Sequence, residues 1–296
     1  MKDQILTISS VKNNGKVLSQ DELSKDIFSV WIRTDIAKYA APGQFVNIKL
    51  DGFFLRRPIS IADYTESSLT IIYKTVGKGT KFMASLPVGK TLQVLMPLGN
   101  GFDLNKIESQ LNYSKDESAR LNHISSEGVN PVLKDEIPFK GNKNHLEKKN
   151  PLVLIGGGIG LPPMLSLSKA LLKKGIIPTV IAGFNSQNDV ILEKEFNTMG
   201  ISPIITTVDG SYGAKGLVTE PLADILATQP DAYVCTCGPE PMLKAIHESA
   251  PQGQFSFEAR MACGFGACMG CTCKTKYGSK RICTDGPVLE RDEIIW

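Results

Sequence analysis

Four cysteines carry the clearest chemistry in this chain. Cys263, Cys268 and Cys271 follow a C-x4-C-x2-C spacing, and Cys283 comes eleven residues later. Four thiolates so spaced can converge on one metal centre, and the pattern is the plant-type ligand spacing of a [2Fe–2S] cluster. The residues between them are small (Gly264, Gly266, Ala267 and Gly270). Such residues let the backbone curl tightly and aim N–H groups at bound sulfur. A structural zinc site is the competing reading, but zinc ribbons pair C-x2-C or C-x4-C elements across a longer loop. Buried, unligated thiols are the third. Cys273 stays a candidate ligand, because strand alternation returns it to the side of Cys271, although Cys283 completes the pattern.

Three further stretches point to nucleotides. Arg56-Arg57-Pro58-Ile59-Ser60 sets two guanidinium groups beside a hydroxyl. Gly77-Lys78-Gly79-Thr80 opens a helix predicted over residues 80–86, capped by Gly79 or Thr80, and free N–H groups at a helix start attract anions. A dinucleotide with a pyrophosphate would use both; a solvated edge strand and a hairpin turn are the plainer alternatives. Gly156-Gly157-Gly158-Ile159-Gly160 joins a strand to a helix. It departs from the G-x-G-x-x-G fingerprint at Leu161, and no acid closes the following strand. What it offers is a turn free of side chains, where a cofactor can approach closely. Residues 185–189 contain no Lys or Arg to hold a 2′-phosphate, which favours NAD over NADP. Cys237, before Gly238-Pro239, is either a reactive thiol or a buried small hydrophobe at a strand end.

These groups need elements to hold them. Residues 1–102 read as all-β: runs at 5–11, 27–32, 44–50, 68–74 and 91–95 are rich in β-branched and aromatic residues. Turn signals separate them at Asn14-Gly15, Pro42-Gly43, Asp51-Gly52, Pro87 and Gly89. Five or six such strands predict a small antiparallel barrel. Residues 103–150 are dense in charge and asparagine, with Tyr113 and Phe139 the only aromatics. They read as a polar insertion or linker, partly helical over 104–112, of which 106–146 should be dispensable for folding. His123 and His145 lie there without companions for a metal site. Residues 151–252 alternate strands (152–155, 179–182, 202–208, 232–237) with helices (from Leu161 to about 174, then 193–199, 220–227 and 239–248). That alternation predicts a parallel sheet with helices on both faces. Residues 253–296 form the cluster segment.

Composition sets the limits. At 296 residues the chain has room for two domains and a small third. Its net charge of +3 is too small to suggest a nucleic-acid partner. No apolar run approaches the ~18 residues that span a bilayer, and residues 1–7 show no secretory h-region. Seven cysteines, clustered rather than scattered, fit a reducing compartment, so a cytoplasmic location is expected. No Ser-His-Asp set or metal-hydrolase motif is evident.

In order and separation these motifs resemble the ferredoxin reductase superfamily. That family has a flavin barrel with an Arg-x-x-Ser motif, a later Gly-x-Ser/Thr helix start and then a nicotinamide domain; Pro42-Gly43-Gln44-Phe45-Val46 also matches a recurrent strand entry. With the four cysteines added, the chain is similar to the electron-transfer subunits of the NAD-linked dihydroorotate dehydrogenases. The matching pieces include Arg56–Ile61, Pro97–Phe102, Gly156–Gly160, Asp209–Gly213, Arg260–Gly264 and the closing Gly286-Pro287-Val288-Leu289. Only residues 103–150 depart, where the family has a shorter connection.

The resemblance implies a multidomain β plus α/β protein: an antiparallel FAD-binding β-barrel, a parallel-sheet NAD-binding α/β domain and a small C-terminal [2Fe–2S] domain. It implies FAD on Arg57, Pro58, Ile59, Ser60, Ile72, Tyr73, Lys74, Gly79 and Thr80. It implies NAD at Gly156, Gly157, Gly158, Gly160, Gly238 and Pro239, with Cys237 approaching the nicotinamide as a catalytic residue. The cluster would sit on Cys263, Cys268, Cys271 and Cys283. A nicotinamide exchanges two electrons as hydride and a cluster exchanges one, so a flavin must stand between them. The implied function is an oxidoreductase subunit of pyrimidine biosynthesis. It would pass electrons from a separate dihydroorotate dehydrogenase catalytic subunit, in a two-plus-two heterotetramer, through [2Fe–2S] and FAD to NAD+. The rival readings are the flavin subunit of an NADH-linked ferredoxin or sulfide oxidoreductase, and a non-enzymatic nucleotide-binding module with structural zinc.

Overall fold

The computed structural model describes residues 12–111 and 151–296. Strands β1 (Lys12–Ser24), β2 (Ile27–Arg33), β3 (Phe45–Lys49), β4 (Arg57–Tyr64), β5 (Ser68–Lys74) and β6 (Thr91–Leu98) close into a barrel in the order β1-β2-β5-β4-β3-β6. Every neighbouring pair is antiparallel. Alternation sorts the side chains. On β3, Val46 and Ile48 fill the barrel, while Phe45 joins the core outside it.

Several expectations change here. The expected strand at residues 5–11 lies outside the described residues. Asn14-Gly15 is not a turn but part of β1. A Cβ on Gly15 would lie 2.5 Å from Ile32 Cγ2, so the glycine makes room for a core side chain on the neighbouring strand. Strand β4 went unrecognised because Pro58 and two arginines interrupt its apolar pattern. Helix α1 (Lys78–Ala84) starts two residues early, with Gly77 rather than Gly79 or Thr80 at its N-cap. The Thr80 hydroxyl still serves that end, accepting from the N–H groups of Val76 (3.0 Å) and Gly77 (3.2 Å).

Helix α2 (Leu104–Gln110) is capped by the Asp103 carboxylate, which accepts from Lys106 N at 3.0 Å. Its Ile107, and Leu111 just beyond it, are buried in the same core as Leu152 and Leu171. The segment read as an insertion therefore opens with a core element. The rest of it, including His123 and His145, lies outside the described residues.

The second unit is a seven-stranded sheet. Its elements are β7 (Leu152–Gly157), α3 (Leu161–Leu172), β8 (Thr179–Phe184), α4 (Glu193–Thr198), β9 (Ile204–Thr207), β10 (Ala214–Lys215), α5 (Thr219–Thr228), β11 (Tyr233–Cys237), α6 (Glu240–Ser249) and β12 (Gln252–Ser256). A hairpin, β13 (Thr272–Thr275) and β14 (Gly278–Arg281), interrupts it before β15 (Val288–Glu290) returns to the sheet. The order is β10-β9-β8-β7-β11-β12-β15, parallel except for β15. Along β7 the residues alternate between two layers: Leu152 and Leu154 pack with α3 and α4, Val153 and Ile155 with α5 and α6. The boundary expected between residues 252 and 253 falls inside β12. The cluster segment is an excursion from the sheet, bracketed by β12 and β15.

The barrel is buried from outside on two sides. Ile27, Ala62 and Ile72 share a core with Met164 and Leu165 of α3. Phe45, Leu95 and Leu98 share another with Cys271, Ile282 and Cys283. An ion pair of Lys169 with Asp63 (2.5 Å) marks the first seam. Because Ile107 is fully buried, Ile107→Ala should lower the unfolding free energy by roughly 2–4 kcal/mol. A deletion starting at residue 106 should lower the denaturation midpoint in the same way, measured by urea titration followed by circular dichroism.

Candidate functional site

A cavity of about 290 Å³ lies between the barrel, the start of α3 and the cluster segment. Arg57, Pro58, Ile59 and Ser60 of β4 line one wall, and Ile72, Tyr73 and Lys74 of β5 line another. Thr80 closes the α1 end. Gly79 is not on the wall but beneath it: a Cβ there would lie 2.2 Å from Arg57 Nη2. The bare backbone lets the guanidinium lie flat, over the ring of Phe53 at 5.2 Å. Arg57 donates to the carbonyls of Leu55 (2.5 Å) and Arg56 (3.3 Å), and among the described residues no carboxylate neutralises it. Burial raises the Tyr73 hydroxyl well above its ordinary range, and that oxygen has no protein partner. A cationic end, an apolar wall and an unsatisfied buried polar atom fit a flat ring joined to a phosphate.

A second cavity, about 360 Å³, opens at the C-terminal ends of the parallel strands. Gly157 and Gly158 line it from β7, Asn185 and Asp189 from the β8 end, and Pro239 and Met242 from α6. Strand order reverses here, since β8 and β11 flank β7 on opposite sides. Open α/β sheets bind ligands at such a crevice. The glycines do different jobs. At Gly156, Gly157, Gly160 and Gly238 a Cβ would collide with Leu161, Met242, the Cys237 carbonyl and Met242. Gly158, at φ +52°, alone faces open space. Lys74 and Ile159 line both cavities, so the two meet there. Lys74 also reaches Asp189 across the seam at 3.8 Å.

Cys237 ends β11, between Gly156 of β7 and Ser256 of β12. It is 1 % exposed. Burial first, then the charge of Glu258, push its thiol up to about 12. Its side chain lines neither cavity, although a Cβ on Gly160, next to Ile159, would lie 2.2 Å from its carbonyl oxygen.

The four sulfurs come together in pairs. Cys268 N donates to Cys263 Sγ (3.4 Å), and Cys283 N donates to Cys271 Sγ (3.4 Å). Burial works against a Cys263 thiolate, but N–H groups of Phe265, Cys268 and Ala267 outweigh it and hold the thiol down to about 6. Burial and the adjacent Cys271 sulfur push Cys283 up to about 11. Among the described residues no three His, Cys, Asp or Glu side chains surround one point, as a single-ion site requires. Sulfurs paired in this way would suit two thiolates on each of two irons. Cys273, on β13, faces a cavity shared with Trp296 and Cys271, away from the Cys263–Cys268 pair.

Sequence reasoning missed Phe45, Ile159, Glu258 and Met261 on the flavin-sized cavity. Burial raises the Glu258 carboxyl. Phe45, Ile159 and Met261 each lie within a stretch already singled out, but nothing local shows that three separate segments bring them to one cavity.

The C-terminal residues 258–295 match the family model for the iron–sulfur cluster binding domain of dihydroorotate dehydrogenase B. Residues 154–248 match that of the oxidoreductase NAD-binding domain. The dihydroorotate dehydrogenase B (NAD(+)) electron transfer subunit of Fusobacterium nucleatum is 39 % identical, over 92 % of this chain and 94 % of that protein. The same subunit of Bacillus pumilus is 35 % identical, over 94 % and 96 %. Among solved structures, an NADH-dependent reduced ferredoxin-NADP oxidoreductase aligns with TM-score 0.75 at 24 % identity, covering 100 % of this chain and 92 % of that one. The cytochrome b5 reductase domain of Ulva prolifera nitrate reductase aligns at TM-score 0.55 and 18 % identity, over 81 % and 92 %. These likenesses bear on the fold.

The sulfur pairing separates the two cysteines left open by spacing. Cys283→Ala should lose iron and acid-labile sulfide, while Cys273→Ala should retain both, as measured on anaerobically purified protein. Equal loss from both variants would contradict the pairing.

Proposed function

This chain belongs to the family of dihydroorotate dehydrogenase B (NAD(+)) electron transfer subunits, and from that we propose how its residues move electrons from a catalytic partner subunit to NAD+. It is an oxidoreductase subunit, using FAD, an iron–sulfur cluster and NAD. When bound, FAD exchanges hydride with a nicotinamide and single electrons with a [2Fe–2S] cluster.

The observation that carries the reading is the junction of the two cavities at Lys74 and Ile159. A ring seated on β4 and β5 would there meet a ring entering over Gly157, Gly158 and Pro239. Arg57 and Thr80 would hold the flavin phosphates. The Cys237–Gly238 backbone packs against Gly160 and so supports the turn that carries Ile159 to the junction. The opposite wall is the segment from Phe257 to Met261, which runs directly into Cys263. Flavin and cluster would thus be held at the two ends of one short stretch of chain. Asp189 at the nucleotide cavity, and the lack of Lys or Arg in residues 185–189, disfavour a 2′-phosphate and support NAD.

The partner would be the dihydroorotate-oxidising subunit, with its own flavin, in a two-plus-two assembly. Phe265 (46 % exposed) and Met269 (55 % exposed) on the cluster loop give it an apolar surface to approach. No helix among the described residues is long and apolar enough to cross a membrane; the clustered cysteines support a reducing, cytoplasmic compartment. The paired sulfurs weigh against the zinc module. The family assignment weighs against the ferredoxin-linked rival.

The purified chain should oxidise NADH with artificial acceptors, faster than NADPH, yet show no dihydroorotate-dependent reduction of NAD+. Adding the catalytic subunit should create that activity, and Cys283→Ala in the complex should abolish it. Dihydroorotate oxidation by the chain alone, or a full rate from the cluster-free complex, would overturn the route.

A further inference from the structure

Asn47 is an anomaly in the barrel wall. It is fully buried on β3, in a strand whose other buried residues are Phe45, Val46 and Ile48. A buried amide is unfavourable unless it is hydrogen-bonded, and an aliphatic residue would suit an all-apolar position better. Asn47 Nδ2 donates to the carbonyl of Cys263 at 3.1 Å, across 216 residues of sequence. Among the described residues its buried Oδ1 has no partner, and the bond to Cys263 is the side chain's polar contact there. The loop is shaped around the amide. Gly264 takes φ +77°, and a Cβ on it would lie 2.2 Å from Asn47 Nδ2.

The same residue lies beside the flavin wall without lining it. Asn47 pairs with Pro58 across β3 and β4, and Phe45 lies two residues before it; both Pro58 and Phe45 line the flavin-sized cavity. The Asn47 carbonyl also accepts from Arg56 Nη1 at 3.4 Å. At the other end of the cluster segment, Asn100 Nδ2 donates to the carbonyls of Thr284 (3.0 Å) and Asp285 (3.3 Å). Asn100 grips the segment beside Cys283, and Asn47 grips it at Cys263 itself.

We propose that Asn47 is a positioning residue that fixes the Cys263 end of the cluster loop against the flavin barrel, and so sets the geometry of single-electron exchange between cluster and flavin. This rests on Cys263 being a cluster ligand. Such exchange requires the two centres to be held in a fixed relation, and a hydrogen bond to the ligand's own carbonyl is a direct way to hold it. Asn47 lines neither cavity, so hydride exchange at the Lys74–Ile159 junction would not involve it.

The test uses the full chain carrying FAD and cluster, reduced anaerobically with NADH. Asn47→Ala removes the donor. Asn47→Asp keeps the shape and places a carboxylate against the Cys263 carbonyl. Flavin bleaching is followed by stopped-flow absorbance, and the reduced cluster by freeze-quench electron paramagnetic resonance. In both variants flavin bleaching should be unchanged. Cluster reduction should slow by about tenfold, the factor that one lost hydrogen bond of ordinary strength is worth. The cluster spectrum should shift, more for Asp than for Ala. Loss of the cluster with FAD retained would also support the proposal. Parent-like cluster rates and spectra in both variants would overturn it, as would joint loss of FAD and cluster, which would make Asn47 a barrel-folding residue. A parent chain lacking iron and sulfide would instead overturn the ligand assignment, and this proposal with it.

Discussion

The structure depends on a barrel whose wall is apolar on its outside as well as its inside. Small barrels normally present a polar exterior, because the outward-facing residues of each strand meet water. Here β2, β3, β4, β5 and β6 contribute Ile27, Phe45, Ala62, Ile72, Leu95 and Leu98 outward, and those residues are covered by two different neighbours. Helix α3 covers one side and the cluster segment the other. Neither neighbour can move away without exposing that surface, which hydrophobic burial opposes in proportion to its area.

That constraint places the chemistry. The nucleotide crevice belongs to the sheet, the flavin-sized cavity mainly to the barrel, and the sulfur pairs to an excursion between β12 and β15. Since both neighbours dock on the barrel, the cavities meet at Lys74 and Ile159, and residues 257–261 lead from the flavin-sized cavity to the cysteines. The polar contacts across these seams include Lys169 to Asp63, Lys74 to Asp189, Ser166 to the Ile61 carbonyl, Asn100 to the Thr284–Val288 region and Asn47 to Cys263. They supply little of the attraction. An exposed or half-exposed ion pair contributes about 0–1 kcal/mol. Their role is registration, which apolar burial, being non-directional, does not provide.

The glycines illustrate how one residue type serves distinct needs. Gly158 has a left-handed backbone and faces open space, as a ligand-facing turn requires. Gly160 and Gly238 admit neighbouring chain, and Gly264 admits an amide from another unit. A glycine-rich loop read as a cofactor cradle is therefore, in large part, a packing device that brings β7, β11 and α6 close enough to form the cradle's floor.

Much of this was legible in sequence because it is local. The four-cysteine spacing, the alternation of strands and helices after Pro151, and the Arg57–Ser60 and Gly79–Thr80 stretches each carry their signal within a few residues. Period and turn chemistry act over that range. Where local signals conflicted, the reading failed: Asn14-Gly15 has turn chemistry but lies in β1, since the space it leaves is filled by Ile32 from another strand. A helix over 104–112 was legible, but the polar character of residues 103–150 hid that its Ile107 reaches the core. Only the tertiary structure decided how the sulfurs pair, that Glu258 and Ile159 share a cavity with Arg57, and that Asn47 touches Cys263. Those facts depend on packing between segments as much as two hundred residues apart, and no short-range preference of the chain encodes such a contact.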